Sequence, residues 1–226
     1  MMGKIFGFYL IGSVARNEFD ALSDLDLLAI VQDGAGKVDE KALLSFIPDK
    51  YAAMDASVSW YGRRRINEML KNGELFAWHI WQEHIALFES NGFSLRGLGP
   101  PRPYKNSLVD VRSFRKILRE VPGRLRLSPT NVIYEFGLIY VCLRNIAMSA
   151  SAKLCDAPDF SRYSPFRINL SQPLPMTREC YEKAMMCRMA GQRGLSLPDH
   201  PSADEVISLY EGLESWLSIL EERLEQ

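Results

Sequence analysis

The stretch from Phe8 to Val31, FYLIGSVARNEFDALSDLDLLAIV, constrains the fold of this chain more than any other. An apolar run, Phe8 to Ile11, stops at Gly12-Ser13. A polar segment follows, and Asp24 and Asp26 then flank Leu25 at the head of a second apolar run, Leu27 to Val31. The pattern reads as strand, tight glycine turn, helix start and strand. Side chains alternate along a strand, so Asp24 and Asp26 share one face. Two carboxylates held that close repel each other unless a cation lies between them, and Mg²⁺ is typically held by one or two carboxylates together with substrate phosphates. The turn before them offers backbone N–H groups at a helix start, where phosphate binds well. The spacing suits a metal–triphosphate site; the plainer alternative is a turn between two strands with two solvated aspartates.

Gly12-Ser13, ten residues, then Asp24-Leu25-Asp26-Leu27 resembles the signature of the polymerase-β-type nucleotidyltransferase superfamily. More narrowly it is similar to the minimal nucleotidyltransferases of prokaryotes, a group that includes aminoglycoside nucleotidyltransferases and antitoxin-type enzymes. Many relatives carry Ala-Arg-Gly where this chain has Ala15-Arg16-Asn17; Asn adopts left-handed turns more readily than most residues, so the change is compatible with the turn. The resemblance implies an α/β (α+β) nucleotidyltransferase domain with a small mixed sheet, two Mg²⁺ ions, and ATP or another nucleoside triphosphate as co-substrate. It makes Gly12 and Ser13 the phosphate-holding pair, with Arg16 either assisting them or serving at the surface.

The same resemblance implies a third carboxylate on an adjacent strand. From Tyr51 to Tyr61, Asp55, Ser57 and Ser59 alternate with Met54, Ala56, Val58 and Trp60, the pattern of a half-buried strand with a polar face. Asp55 is the acidic residue of that pattern and the candidate third metal ligand and catalytic carboxylate beside Asp24 and Asp26.

A length of 226 residues allows one large domain or two small ones. The net charge of −1 excludes a protein that binds nucleic acid through its overall charge. Cys142, Cys155, Cys180 and Cys187 all lie in the second half, without C-x-x-C spacing. With no signal peptide they are expected as reduced thiols of a cytoplasmic protein. No unbroken apolar run approaches the roughly 18 residues of a transmembrane helix, so no membrane association is expected. His79, His84 and His200 are too scattered for a zinc site.

Strands are also expected at Lys4–Ile11, Leu25–Val31 and Ile85–Glu89, with helices from Ser13 to about Phe19 and at Asp39–Phe46, Arg63–Lys71 and Glu74–Glu83. Arg63-Arg64-Arg65 is either an anion-steering cluster or a solvated helix start. Gly92, Gly97, Gly99 and Pro100-Pro101-Arg102-Pro103 mark a linker, which sets the domains at 1–93 and 94–226.

The second domain is expected to be an all-α helical bundle of four helices. Ser107 and Asp110 can cap the first, to about Val121 before Pro122-Gly123; Ser128-Pro129 can start the second, Pro129–Leu154. A proline-rich irregular segment, 155–175, precedes a third at Thr177–Arg193, ended by Gly194. Ser202 and Glu205 form a capping box for the last, whose Val206, Leu209, Leu213, Trp216, Leu217, Leu220 and Leu224 recur at helical spacing.

On the long helix, Asn131, Glu135, Cys142, Asn145 and Ser149 make one polar stripe on an otherwise apolar surface. Such a helix is central, its stripe turned to water, a cleft or a partner. Kanamycin-type relatives place a helical-domain carboxylate as general base over the acceptor hydroxyl. By that resemblance Glu135 is the candidate general base; a hydrogen-bonded structural glutamate is the other reading. Arg144-Asn145 is similar to HEPN helical domains, often partnered with minimal nucleotidyltransferases. Their ribonuclease forms carry a histidine where this chain has Ser149, and without an imidazole no RNA cleavage is expected. Arg112, Arg115, Lys116, Arg119, Arg124 and Arg126 crowd one segment, while Asp204, Glu205, Glu211, Glu214, Glu221, Glu222 and Glu225 populate the last helix. The basic segment either attracts triphosphate or RNA or pairs with acidic residues within or between subunits; a homodimer would also let the acidic helix face a polycationic acceptor.

The expected activity is Mg²⁺-dependent transfer of a nucleoside monophosphate to a hydroxyl of a small molecule, a protein or an RNA. The alternative is a non-catalytic nucleotide-binding subunit of a toxin–antitoxin or defence assembly.

Overall fold

The computed structural model describes residues 2–20, 23–38, 40–194, 196–197 and 199–226. The chain forms two compact units, Met1–Tyr104 and Lys105–Gln226.

In the first unit, strands β1 (Ile5–Leu10), β2 (Leu25–Val31), β3 (Ala56–Gly62) and β4 (Ile85–Glu89) make one mixed sheet in the order β3-β2-β1-β4. β1 is antiparallel to both β2 and β4, and β2 runs parallel to β3. A bulge between Ile5 and Gly7 brings Ile5 onto the face of Phe8 and Leu10. Both faces are covered, so β2 is apolar on both sides: Leu28 and Ile30 pack with Ile66, Met69, Ala77 and Ile80, while Leu25, Leu27 and Ala29 pack with Val14 and Leu43 on the other face. Those partners come from α1 (Gly12–Ala15), α2 (Glu40–Leu44), α3 (Arg63–Asn72) and α4 (Leu75–Glu83). On β1, the Tyr9 hydroxyl donates to Glu89 of β4 at 2.9 Å.

Several boundaries differ from expectation. The first helix is a single turn, because Asn17 takes a left-handed φ of +58° and the Glu18 N–H folds back to the Ser13 carbonyl. The second helix is shorter than Asp39–Phe46, and Asp39 itself lies outside the described residues. The domain boundary falls after Tyr104, not after residue 93. Phe93 and Leu95 are buried in the sheet's core, the Leu95 N–H donates to Glu89, and Arg102 exchanges hydrogen bonds with Leu70 and the Trp78 indole. The Gly/Pro-rich segment is thus a strap on the first unit.

The second unit consists of α5 (Ser107–Arg119), α6 (Val121–Leu127), α7 (Val132–Leu154), α8 (Arg178–Arg193) and α9 (Ala203–Glu225). α7 is central and packs against α5, α8 and α9. The Ser202–Glu205 capping box forms as expected, and Gly194 ends α8 in a left-handed conformation. Ser107 is buried inside α5 and does not cap it; Asn106 precedes the helix without a side-chain cap. Pro122-Gly123 does not break the chain into a loop. Pro122 falls in the first turn of α6, where its missing N–H has no partner to lose, so the bundle has five helices among the described residues.

α7 with its preceding 3-10 turn, Pro129–Leu154, has the length and composition of a bilayer-crossing helix, although no unbroken apolar run reveals it; half of its most apolar stretch is buried within the unit. Its polar stripe turns inward except at Asn131, which is exposed. Glu135, Cys142 and Ser149 are buried, Ser149 lies 3.4 Å from Asp110 of α5, and Asn145 donates to the Val141 carbonyl one turn back.

Candidate active site

The end of β1 and the start of β2 are tied together where Ile11 donates its N–H to the Asp26 carbonyl at 2.9 Å. The next residue, Gly12, has φ +73°. A Cβ at this position would stand 2.5 Å from Asp26 Oδ2 and 3.2 Å from the Asp26 Cβ, so only glycine lets the turn press against that carboxylate. Gly12 and Ser13 open the single turn of α1. The residue before it, Ile11, has a side chain that cannot accept their N–H groups, which leaves this duty to another acceptor.

β2 begins with Leu25, 1% exposed, between a half-buried Asp24 and an exposed Asp26. Strand alternation puts both aspartates on the face covered further along by α3 and α4. Asp55 is exposed and stands just before β3, not within it. Its carbonyl accepts the Leu25 N–H at 2.9 Å. The parallel register pairs Leu25 with Ala56 and Asp26 with Ser57, so Asp55 neighbours Asp24 across the ladder while Ser57 neighbours Asp26. Among the described residues, no three Asp, Glu, His or Cys side chains gather as a metal-binding group. The fold therefore sets the Gly12 turn directly against Asp26, with Asp24 and Asp55 along the adjoining strand ends. A cleft of about 320 Å³ lined by Leu25, Leu44, Ile47, Tyr51, Met54 and Ala56 lies on the opposite face of β2 and does not serve these carboxylates.

Arg16 follows the turn. Its guanidinium donates to Glu18 at 3.0 Å and to Glu83 of α4 at 2.5 Å, and Glu83 also lies 2.9 Å from His79. In the sequence His79 is weighed only as a zinc ligand, and Glu83 has no assigned role. Their spacing of four residues on one helix was a legible signal; the distant arginine that joins them was not.

The remaining candidates have structural partners. Glu135 is 2% exposed, with each carboxylate oxygen 2.7 Å from an Arg124 nitrogen. The hydrogen bond to the buried Glu135 raises the Arg124 pKa further above its ordinary value. The basic segment pairs within its own unit: Arg112 with Glu221 and Glu225, Arg115 with Glu214 and Glu221, Arg119 with Glu214, and Arg126 with Glu211. In the first unit Arg63 lies over the Phe6 and Phe93 rings, Arg64 pairs with Glu68, and Arg65 with Glu74. The Arg144 guanidinium donates to the Phe160 carbonyl.

The architecture is a mixed α+β unit with a small four-stranded sheet, followed by a helical unit. No family model matches the sequence, and no curated protein matches it. Among solved structures, the chain is similar to a nucleotidyltransferase-like protein from Exiguobacterium sibiricum, at 15% identity and a TM-score of 0.38, over 95% of this chain and 69% of that one.

Proposed function

We propose that residues 1–104 form a nucleotidyltransferase that moves a nucleoside monophosphate from a nucleoside triphosphate, ATP or another, to a hydroxyl group. The observation that supports it most directly is the left-handed Gly12 turn set against the Asp26 carboxylate, which puts phosphate-binding N–H groups and a hard oxygen donor side by side. Asp24 and Asp26 offer the carboxylate oxygens that suit Mg²⁺, with Asp55 as a third donor beside Asp24. When bound, two Mg²⁺ ions supply Lewis-acid stabilisation of the charge on the acceptor and pyrophosphate oxygens.

The chain's own groups do the rest. Gly12 and Ser13 hold the phosphate tail through backbone N–H groups and the Ser13 hydroxyl, and Arg16 adds donors beside them. The acceptor oxygen bonds to the α-phosphorus as the bond to the bridging oxygen breaks. Pyrophosphate leaves, and Asp55 takes the hydroxyl proton. Glu135, bound by Arg124, serves the helical unit as a structural carboxylate.

The test is incubation with each α-labelled nucleoside triphosphate and Mg²⁺, with and without cell lysate, to find whether a small molecule, a protein or an RNA takes the label. Asp24→Ala or Asp26→Ala is expected to abolish transfer with an unchanged circular dichroism spectrum. Transfer that survives in the double variant overturns the assignment.

A second reading, a non-catalytic nucleotide-binding subunit of a toxin–antitoxin or defence assembly, is favoured by one observation: the three carboxylates do not gather as a metal group among the described residues. Calorimetry with ATP and Mg²⁺ followed by a pyrophosphate assay separates the two. Binding without pyrophosphate release selects the subunit.

A further inference from the structure

The arginine that follows the glycine turn is held from across the unit. The Arg16 side chain is 14% exposed and lies between Glu18 and Glu83. Glu83, 11% exposed, shares its Oε2 between Arg16 Nη1 and the His79 Nε2, one turn earlier on α4; the His79 side chain is 20% exposed. Exposed ion pairs such as Arg16–Glu18 contribute little, but Arg16, Glu83 and His79 are largely withdrawn from water, where charge-assisted hydrogen bonds are short and directional. The two carboxylates engage Nε and Nη1, which leaves the Nη2 donors to another acceptor. The backbone of the same residue closes the turn, because the Arg16 N–H donates to the Gly12 carbonyl at 3.2 Å. The guanidinium is thereby fixed at both ends, its backbone by the glycine turn and its head by α4.

We propose that Glu83 and His79 are positioning residues that hold the Arg16 guanidinium beside Gly12 and Ser13 to receive the triphosphate tail. The proposal rests on the nucleotidyltransferase reading above and adds a role for α4 to it. Glu83 acts through Arg16 and touches no substrate. His79 acts one step further back by fixing the Glu83 carboxylate. An arginine anchored in this way presents its remaining donors with little loss of side-chain freedom on binding.

A structural brace and a positioning relay differ in what they do to the phosphate tail specifically. The full chain is titrated calorimetrically with each of the four ribonucleoside triphosphates and the matching monophosphates, in the presence of Mg²⁺. Glu83→Gln keeps the size of the side chain and removes its charge. It is expected to weaken triphosphate binding about tenfold while monophosphate binding, which lacks the tail, changes less than about twofold. His79→Asn leaves the Arg16–Glu83 pair in place and is expected to weaken triphosphate binding about threefold, which keeps the proposal testable if Glu83→Gln does not fold. A wild-type protein that binds none of the triphosphates overturns both this proposal and the nucleotidyltransferase reading. Wild-type binding with an unchanged triphosphate-to-monophosphate ratio in the variants overturns the positioning role alone.

Discussion

At Gly12 one hydrogen atom in place of a methyl group decides whether the turn can form. Its φ of +73° costs a non-glycine residue about 1–3 kcal/mol, and the methyl would also collide with the Asp26 carboxylate. Gly12→Ala is therefore expected to lower stability by about that amount and to displace Asp26, with loss of Mg²⁺–nucleotide binding by calorimetry. A variant that keeps wild-type affinity would show that the turn is not part of the site. Asn17 carries the comparable strain with φ +58°, and a polar side chain makes this tolerable. These positions were legible because their chemistry is local: Gly-Ser and Asp-x-Asp sit within one short stretch, and strand alternation pairs the aspartates without help from the rest of the fold. Arg16 was legible as a candidate, but its anchor was not. Its partner Glu83 is 67 residues distant, and no periodicity connects them.

At the scale of elements, most boundaries followed from caps and breakers, and the misses share a cause. β2 and β4 were read at their observed limits and the α9 capping box formed as written, since each depends on neighbouring residues. The stripe on α7 was legible as a stripe facing water, a cleft or a partner, but not its partners, because the residues that satisfy Glu135 and Ser149 come from α6 and α5. Arg124 reaches Glu135 and Asp110 reaches Ser149, so polar character on a central helix here marks internal pairing. Removing Arg124, itself one-third exposed, strands the charge of the buried Glu135. Arg124→Leu is expected to destabilise the helical unit by about 3 kcal/mol, and the double variant Arg124→Leu/Glu135→Leu to recover most of that loss. Guanidinium unfolding midpoints decide it; equal losses in the single and double variants would show that the pair does not anchor α7.

Across the whole molecule, the separation of basic and acidic residues became an internal seam. Arg115, nearly buried, meets Glu214 and Glu221, and Arg112 and Arg119 flank it, so α5 and α9 are joined by charge as well as by apolar packing. Burial pushes the Glu214 pKa up, but hydrogen bonds from Arg115, Tyr210 and Arg119 outweigh it and hold the carboxyl below its ordinary value of 4.5. A carboxyl depressed by folding stabilises the native state above its unfolded pKa, and that contribution is lost as pH falls through the folded value. The helical unit is expected to keep full strength above about pH 5 and to weaken below about 4.5. Amide exchange in α9 peptides measured from pH 6 to pH 3, corrected for intrinsic rates, should show protection falling first along this seam; constant protection would remove Glu214 from the account. The Gly/Pro cluster reads as a linker with the boundary near residue 93, whereas the two compact units divide after Tyr104. The boundary was misjudged because Phe93 and Leu95 bury themselves on the sheet side, a preference that turn-forming residues nearby conceal.

The antiparallel pairing of β1 with β4 has a consequence for how the protein is made. β1 precedes its sheet partners in the chain and ends up inside the sheet, between β2 and β4. β2 follows at once, but the Tyr9–Glu89 hydrogen bond joins residues 80 positions apart. One edge of β1 thus stays open until β4 has been synthesised, and the strap that buries Phe93 and Leu95 arrives later still. Long-range closure of this kind is slow beside the formation of helices, and an unpaired strand edge is a template for wrong partners. The nascent first unit is most vulnerable to aggregation in that interval, before the residues that seal its sheet have emerged.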